Sequence, residues 1–535
     1  MFNFGDMLDI VERNLPPDAP LCLHGDRRID WGEAGRLSNN LARSLREGGL
    51  KAGDSLAIYL RNGPEYILSL AAAFKARLAP VNVNYRYTDA ELRYLLNDSD
   101  ARAVVYAAEF RDHVEAIRAD LPLVTRWIEV TDGAASPGFA EDFAAVSVAG
   151  DGAPLAIERS PNDIFFIYTG GTTGMPKGVM WEHGEMREIL VRPARTLGEP
   201  VPDTLEELAA SIRAQGPGPR LLPACPLMHG TGLLPSIGVM LSGGSIVTLT
   251  QRRFDAGEMI AAVETHRPQA LVIVGDSFGR PLLAELDKRT APADLSSVLS
   301  VTSSGVMWSM EIKRGLLRHM PDAVLNDALS SSEALGLGAS VMTRDCEVKT
   351  ASFTLGERCR VFDEADRPVL AGSGGVGRLA LGPPNPLGYY KDAEKSAATF
   401  RVIDGVRYCI PGDWVRVEAD GSLTFLGRGS GCINTGGEKV FAEEVEEALK
   451  RHDSVSDALV VGVPDPTWGQ AIVGVVTLHA DAAFDAEALR DHVRAQLAGY
   501  KVPKRLLVAD RPLRAANGKA DYGAARAIAE GATAR

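Results

Sequence analysis

From Asp30 to about Val130 the chain alternates between two hydrophobic periods. Leu37, Leu41 and Leu45 recur at helical spacing behind Asp30, a residue type that caps helix N-termini, and Gly48-Gly49 ends the run. Ser55-Leu-Ala-Ile-Tyr-Leu60 predicts a buried strand, Glu65 to Ala76 a helix, and Ala79-Pro-Val-Asn-Val83 another strand. A helix over Asp89 to Leu96 and a strand over Ala103 to Tyr106 continue the series. Such alternation predicts a parallel sheet covered by helices. A second series starts near Ile246 to Thr250. It runs through a strand at Ala270 to Val274, a helix at Arg280 to Lys288, a strand at Val298 to Thr302 and a helix at Met310 to His319. Between the two, Arg192 to Pro223 is rich in Pro and Gly around one acidic amphipathic helix, Thr204 to Arg213, which reads as an insertion or lid.

From about Gly356 the texture changes to short strands and turns that end at Leu423-Thr-Phe-Leu-Gly-Arg428. The chain then restarts with a helix at Ala442 to Arg451, strands at Asp457 to Val463 and Ile472 to Leu478, and a helix at Ala486 to Leu497. The predicted fold class is therefore α/β. A large N-terminal domain, 1–427, holds two α/β subdomains and a β-rich subdomain, and a small α+β domain follows at 428–535.

Composition narrows the setting. At 535 residues the chain is too long for one core, and 45% apolar with 24% charged residues describes a globular protein. A net charge of -13 argues against a general nucleic-acid binder, which carries a basic face. Six cysteines lie scattered without CxxC spacing, so neither a zinc site nor a disulfide framework is expected and a reducing cytoplasm is. The N-terminus shows no basic n-region or apolar h-region, so no signal peptide is expected. The uncharged run Gly230 to Gln251 is broken by Pro235, Gly238 and Gly243-Gly244; it predicts a short helix and a strand, not a membrane span.

The densest chemistry lies in Tyr168-Thr-Gly-Gly-Thr-Thr-Gly-Met-Pro-Lys-Gly-Val-Met-Trp181, which follows the apolar run Asp163 to Tyr168. Small residues expose backbone N–H groups, threonines add hydroxyls, and Lys177 adds a cation: the needs of a polyphosphate. Lys177 sits between Pro176 and Gly178, so this is not a Walker A loop, which requires Gly before its Lys and Ser or Thr after it. Two other patterns are decoys. Gly275-Asp-Ser277-Phe-Gly279 has the spacing of a hydrolase nucleophile elbow, but the later histidines fall in helical or small-domain contexts. Gly372-Ser-Gly374-Gly-Val-Gly377 runs into the strand-like Arg378-Leu-Ala-Leu, where a dinucleotide site needs a helix, so it predicts a turn.

Further motifs follow in order. Pro226-Leu-Met-His229-Gly230-Thr-Gly232 joins a turn to an uncharged helix, where a lone His ordinarily packs or caps. Asn326-Asp-Ala-Leu-Ser-Ser-Ser332-Glu333 gathers three hydroxyls and a carboxylate, suited to a helix N-cap or to magnesium and phosphate. Tyr408-Cys-Ile-Pro-Gly412-Asp413-Trp414 puts a carboxylate after a tight turn. Leu426 to Lys439 is glycine-dense, and Ala516-Asn-Gly518-Lys519 presents an isolated lysine near the end.

Together and in this order these motifs resemble the adenylate-forming superfamily of acyl-CoA synthetases, luciferases and peptide-synthetase adenylation domains, across essentially the whole chain. The variants Thr-Gly-Gly-Thr-Thr-Gly, Ser-Ser-Glu and Gly-Arg-Gly-Ser, with Val-Met-Trp181, look closest to the fatty-acyl and steroid-side-chain CoA ligases. The resemblance implies that ATP, with Mg2+, activates a hydrophobic acid to acyl-AMP, which passes to CoA. It makes 1–427 the AMP-binding domain and 428–535 a mobile one. ATP would be held by Thr169, Gly170, Gly171, Thr172, Thr173, Gly174 and Lys177, by Leu329 to Ser332 (Leu329, Ser330, Ser331, Ser332), and by the ribose pair Asp413 and Arg428. Thr172 and Glu333 would serve the metal, and with the mobile lysine Lys519 they form the catalytic set. His229, Ser304, Gly305 and Val306 would line the acyl side, in a pocket drawn from the segments Met228 to Leu234, Val274 to Phe278 and Ser304 to Trp308. Gly436, Gly437 and Lys439 would line the CoA side, and Ser430 would be the hinge.

The chain departs from the superfamily pattern at three places. Leu329 stands where an aromatic residue stacks on adenine, Ser330 and Ser332 replace a glycine and a threonine, and the hinge, ordinarily Asp or Lys, is Ser430. Alternatives within the superfamily are an enzyme that loads a carrier protein and a ligase for an aryl acid. A non-catalytic nucleotide-binding protein is a third, opposed by the presence of both Glu333 and Lys519. No nucleic-acid or integral-membrane role is expected, and a homodimer is compatible with the composition.

Overall fold

A computed structural model describes residues 2–169, 175–305, 308–346, 352–370, 372–428, 432–435, 438–465, 469–497, 499–514 and 520–531. The fold is α/β and divides into two compact units, Met1–Thr350 with Gly382–Val402, and Ala351–Leu381 with Ile403–Arg535.

The first unit holds two sheets. In one, Ile164–Thr169, Ala79–Asn82, Ser55–Tyr59, Ala101–Ala107, Arg126–Val130 and Glu141–Asp142 lie side by side and parallel. Lys177–Glu182 adds to it antiparallel, and Gly388–Tyr389 adds antiparallel to that strand. The helix Trp31–Glu47 enters from the other sheet and packs on Pro64–Lys75, which with Asp89–Asp98 supplies the crossover connections that parallel pairing requires. Asp30 caps the first of these by accepting from Glu33 N, and Thr88 with Glu91 closes a capping box on the last.

The other sheet runs Pro20–His24, Ser245–Thr248, Arg220–Pro223, Ala270–Ile273, Ser300–Ser304 and Val324–Leu329 in parallel, with antiparallel strands at both edges. Its core gathers Leu222, Val247, Leu271, Ile273, Val301, Trp308, Ile312 and Leu325. This corrects the reading of Arg192 to Pro223 as an insertion or lid built around one helix. Its helix is present, Leu205–Gln215 capped by Thr204, but Arg220–Pro223 is a strand inside the sheet. Four residues opening on Arg carry too little pattern to be seen locally; two parallel neighbours make them a strand.

The second unit carries an antiparallel sheet of Ser352–Leu355, Leu423–Arg428, Asp413–Val417 and Val376–Leu381, with Cys359–Phe362 and Val406–Cys409 also on the last. Gly372 and Gly374 lie at positive φ just before Val376–Leu381, so the second decoy is a turn into a strand. A separate sheet runs Glu438–Phe441, Cys432–Thr435, Gly469–Leu478, Val455–Asp465, with Arg505–Val508 parallel to Gly469–Leu478. Side chains of Val455–Asp465 alternate between two cores: Ala458 and Val460 pack under the helices Ala442–Lys450 and Ala486–Gln496, while Leu459, Val461 and Val463 pack under Tyr522–Gly531. No helix among the described residues is long and apolar enough to cross a membrane.

One buried group sets an acid limit on the first unit. His183 opens the helix His183–Leu190 with no exposure, stacked on Phe4 at 4.4 Å and edge-on to Phe74 at 5.0 Å. Burial pushes its pKa down to about 3. The unfolded chain therefore takes up a proton that the folded one refuses, and the stability present above the unfolded pKa of about 6.5 is lost as pH falls below it. At pH 5 the loss amounts to roughly 2 kcal/mol. Thermal unfolding followed from pH 7 to 5 should fall more steeply in the wild type than in His183→Gln; equal slopes would assign the limit to other groups.

Candidate active site

The glycine-threonine segment is the connection of a β-hairpin. Ile164–Thr169 and Lys177–Glu182 pair antiparallel from Ile164↔Glu182 to Thr169↔Lys177, so Thr169 and Lys177 face each other at its mouth. Gly170, Gly171, Thr172, Thr173 and Gly174 lie outside the described residues. A Cβ on Gly178 would stand 2.6 Å from the Tyr168 ring, so only glycine fits there. The Tyr168 hydroxyl in turn donates to Asp98 Oδ2 at 2.8 Å.

A buried asparagine that the sequence reading did not single out fixes the root of this hairpin. Asn82 Oδ1 accepts from Tyr168 N at 2.7 Å, and its Nδ2 donates to Tyr168 O at 3.0 Å and to Met228 O at 2.5 Å. The strand end beneath the loop is thereby tied to the turn that carries His229. Asn62 holds the same turn through Cys225 O at 3.0 Å and Leu227 N at 2.7 Å, and Tyr66 donates to Leu227 O at 3.0 Å. A polar residue interrupting the apolar run Ala79 to Val83 was the available signal, because a buried amide needs partners. His229 stands just before the helix Gly230–Leu241 and makes no side-chain cap to it, so a capping role is set aside.

The Ser-Ser-Ser-Glu motif is a reversal between antiparallel strands, Val324–Leu329 and Gly338–Met342, and not a helix N-cap. Ser330 Oγ accepts from Gly336 N at 3.1 Å, Ser331 Oγ from Ala334 N at 3.2 Å, and Leu329 O from Leu337 N at 3.1 Å. Ser332 O accepts from Trp181 Nε1 at 2.9 Å, which ties this turn to the hairpin. Beside it Ser304 pairs in register with Ala328 and donates to its carbonyl at 2.8 Å, and Gly305 follows at φ +88°. Val306 lies outside the described residues. Gly275 N donates to Ser303 Oγ at 2.8 Å and Ser309 N to Asp276 Oδ1 at 2.8 Å, so the two expected acyl-side segments are hydrogen-bonded to each other. Trp308, expected among their lining, turns into the core.

One short segment holds both charged groups. The Tyr389 hydroxyl donates to Glu333 Oε1 at 2.7 Å. Asp392, which also caps Ala393–Thr399, forms an ion pair with Lys177. The Lys177 ammonium, then the Lys395 N–H, hold the Asp392 carboxyl below the usual carboxylate range. Gly388–Tyr389 pairs with Lys177–Glu182, so the hairpin and its two charges form one hydrogen-bonded assembly. A lone carboxylate among serine hydroxyls is a hard oxygen set that fits Mg2+, which takes one or two carboxylates and completes its shell with phosphate and water.

In the second unit Asp413 and Arg428 sit directly opposite on adjacent antiparallel strands, with Asp413 buried behind Gly412 at φ +99°. The Arg428 and Lys439 side chains, and Ser430, Gly436, Gly437 and Lys519 entirely, lie outside the described residues.

A family described as AMP-binding enzyme matches residues 11–390, and its C-terminal domain, described as AMP-binding enzyme C-terminal domain, matches 444–519. The chain is 37% identical over 530 residues to a 3-oxocholest-4-en-26-oate–CoA ligase of Rhodococcus rhodochrous, covering 97% of this chain and 94% of that protein. It is 38% identical over 529 residues to a medium/long-chain-fatty-acid–CoA/3-oxocholest-4-en-26-oate–CoA ligase of Mycobacterium marinum, covering 97% and 95%. Its fold resembles that of the anthranilate CoA ligase AuaEII in complex with anthranoyl-AMP, with a TM-score of 0.82, 22% identity and coverage of 99% and 98%.

Proposed function

The chain belongs to the AMP-binding enzyme family, and from that premise we propose that it is an AMP-forming acid–CoA ligase for a hydrophobic carboxylic acid, of the fatty or steroid-side-chain class. The observation that carries the reading is the Gly388–Asp392 segment, which holds a phosphate-type lysine, Lys177, and a metal-type carboxylate, Glu333, around one hairpin.

In the first step an oxygen of the acid attacks the α-phosphorus of ATP. The bond from that phosphorus to the bridging oxygen breaks, and pyrophosphate leaves with the electron pair. Charge builds on the α-phosphoryl oxygens, which a directed cation stabilises, and Lys519 takes that role. Lys177 serves the leaving pyrophosphate and exchanges its Asp392 partner for phosphate oxygens. Glu333 with Thr172 would hold Mg2+, which would supply neutralising charge for the phosphates. Asp413 and Arg428 hold the ribose, Leu329 offers adenine an aliphatic face, and His229, Ser304, Gly305 and Val306 adjoin the acyl chain. In the second step the CoA thiolate attacks the acyl carbon, AMP departs from it, and the thiol proton passes to solvent. Rotation of 428–535 about Ser430 replaces Lys519 with the segment of Gly436, Gly437 and Lys439. The two family matches, ending at 390 and starting at 444, leave the 427/428 boundary between them. Every residue given a role here belongs to one chain, so the reaction calls for no homodimer, and its need for ATP and CoA suits the cytoplasm.

Purified protein supplied with ATP, Mg2+ and CoA should release pyrophosphate with fatty or steroid-side-chain acids and not with short aryl acids. Release with aryl acids alone would overturn the substrate class. A preference for a phosphopantetheinyl carrier over free CoA would overturn the acceptor. Absence of release with every acid–CoA combination would overturn the ligase reading.

A further inference from the structure

Glu446 is a carboxylic acid in the interior that none of the chemistry above uses. It lies on the helix Ala442–Lys450 with 3% exposure. Val455–Asp465 is the outer strand of its sheet, so its outward N–H groups need partners other than a neighbouring strand. Glu446 Oε1 accepts from Val460 N on that edge at 2.9 Å. Its Oε2 accepts from the Tyr522 hydroxyl at 3.2 Å. Tyr522 begins the helix Tyr522–Gly531, which covers the opposite face of the sheet. Glu446 therefore reaches round the edge and joins helices that pack on different sides.

The same edge strand holds the chain just before the Lys519 segment. Asp457 pairs with Arg514 at 2.8 and 3.0 Å, and Arg514 bridges to Ala520. Asp521 N donates to Leu513 O at 3.0 Å. Described residues on both sides of 515–519 are therefore tied to this domain by polar side chains: Arg514 by Asp457 before, Tyr522 by Glu446 after. We infer that Glu446 is a positioning residue for Lys519, acting through Tyr522 to fix where the chain that carries the lysine rejoins the domain. This rests on the assignment of Lys519 to acyl-AMP formation.

The chemistry of the site supports a neutral group here. Burial pushes the Glu446 carboxyl up to about 8, opposed by Lys450 on the same helix and reinforced by Glu443. Glutamine is then a close substitute at pH 7, its amide oxygen accepting from Val460 N and its NH2 donating to the Tyr522 hydroxyl oxygen, whereas alanine removes both contacts.

The test compares the two half-reactions in the full chain. Glu446→Ala should slow acyl-AMP formation about tenfold, the effect of about 1.4 kcal/mol in the barrier, and leave thioester formation from supplied acyl-AMP unchanged. Glu446→Gln should restore the rate, and Glu446→Ala should add no further loss to Lys519→Ala. Tyr522→Phe, a milder change that removes one hydroxyl, should give the same selective fall. Equal falls in both half-reactions, or the same loss with and without Lys519, would overturn the inference. Amide exchange gives a readout independent of turnover: Tyr522→Phe should speed exchange over 513–522 and leave Ala486–Gln496 unchanged. Unchanged exchange at 513–522 would overturn the inference even in a wild type that makes no acyl-AMP, a failure that would belong to the ligase reading instead.

Discussion

Lys519→Ala should cut acyl-AMP formation by about two to three orders of magnitude while thioester formation from supplied acyl-AMP stays near the wild-type rate. A preorganised contact to charge that develops in the transition state is worth on the order of 3–4 kcal/mol, and each 1.36 kcal/mol is tenfold in rate. On the proposed mechanism the lysine's partner, the α-phosphoryl group passing from pyrophosphate to the acid, exists only in the first step; in the second the reacting centre is the acyl carbon, which a thiolate attacks as AMP leaves. The comparison needs pre-steady-state acyl-AMP accumulation without CoA, and acyl-CoA appearance from synthetic acyl-AMP with CoA. Equal falls in the two would sink the rotation account, because one lysine would then serve both steps from one place.

Asn82→Ala should destabilise the first unit by roughly 3–5 kcal/mol, since each buried backbone group left without a partner costs about 1–3 kcal/mol and neighbours are not additive. Three contacts are lost together, to Tyr168 N, Tyr168 O and Met228 O. Asn82→Asp should be at least as harmful, because a carboxylate would face two carbonyl oxygens where an amide donates to both. Denaturant unfolding at pH 7 measures this. In the folded fraction KM for ATP should rise, because the hairpin root and the His229 turn are no longer tied. A loss below about 1 kcal/mol, inside the range for exposed substitutions, would show that this buried amide does not hold the two segments.

The site was legible in uneven measure. The segment Thr169 to Gly178 stood out because few folds need that many small residues and hydroxyls beside a lysine, and the need is local. The three serines before Glu333 left a helix cap open, since a cap and a strand reversal use the same short polar residues; only the antiparallel return at Gly338–Met342 decides between them. Tyr389 and Asp392 went unnoticed beside Glu333 and Lys177, because 56 and 215 positions separate the partners. Glu446 is one of four acids in Ala442-Glu-Glu-Val-Glu-Glu447, and only the edge of Val455–Asp465 packed against it singles it out.

The sequence by itself determined the order of helices and strands, the loop beside Lys177 and the ordered motifs that place the chain in its family. These rest on period, residue size and backbone freedom, which act within a few residues. Only the tertiary structure decided which polar groups are paired, and with what: Asn82 between two segments, the short segment Gly388–Asp392 holding Glu333 and Lys177, Glu446 reaching round a sheet edge. A buried polar group must find a partner, but which partner is set by how distant segments pack, and no local pattern carries that.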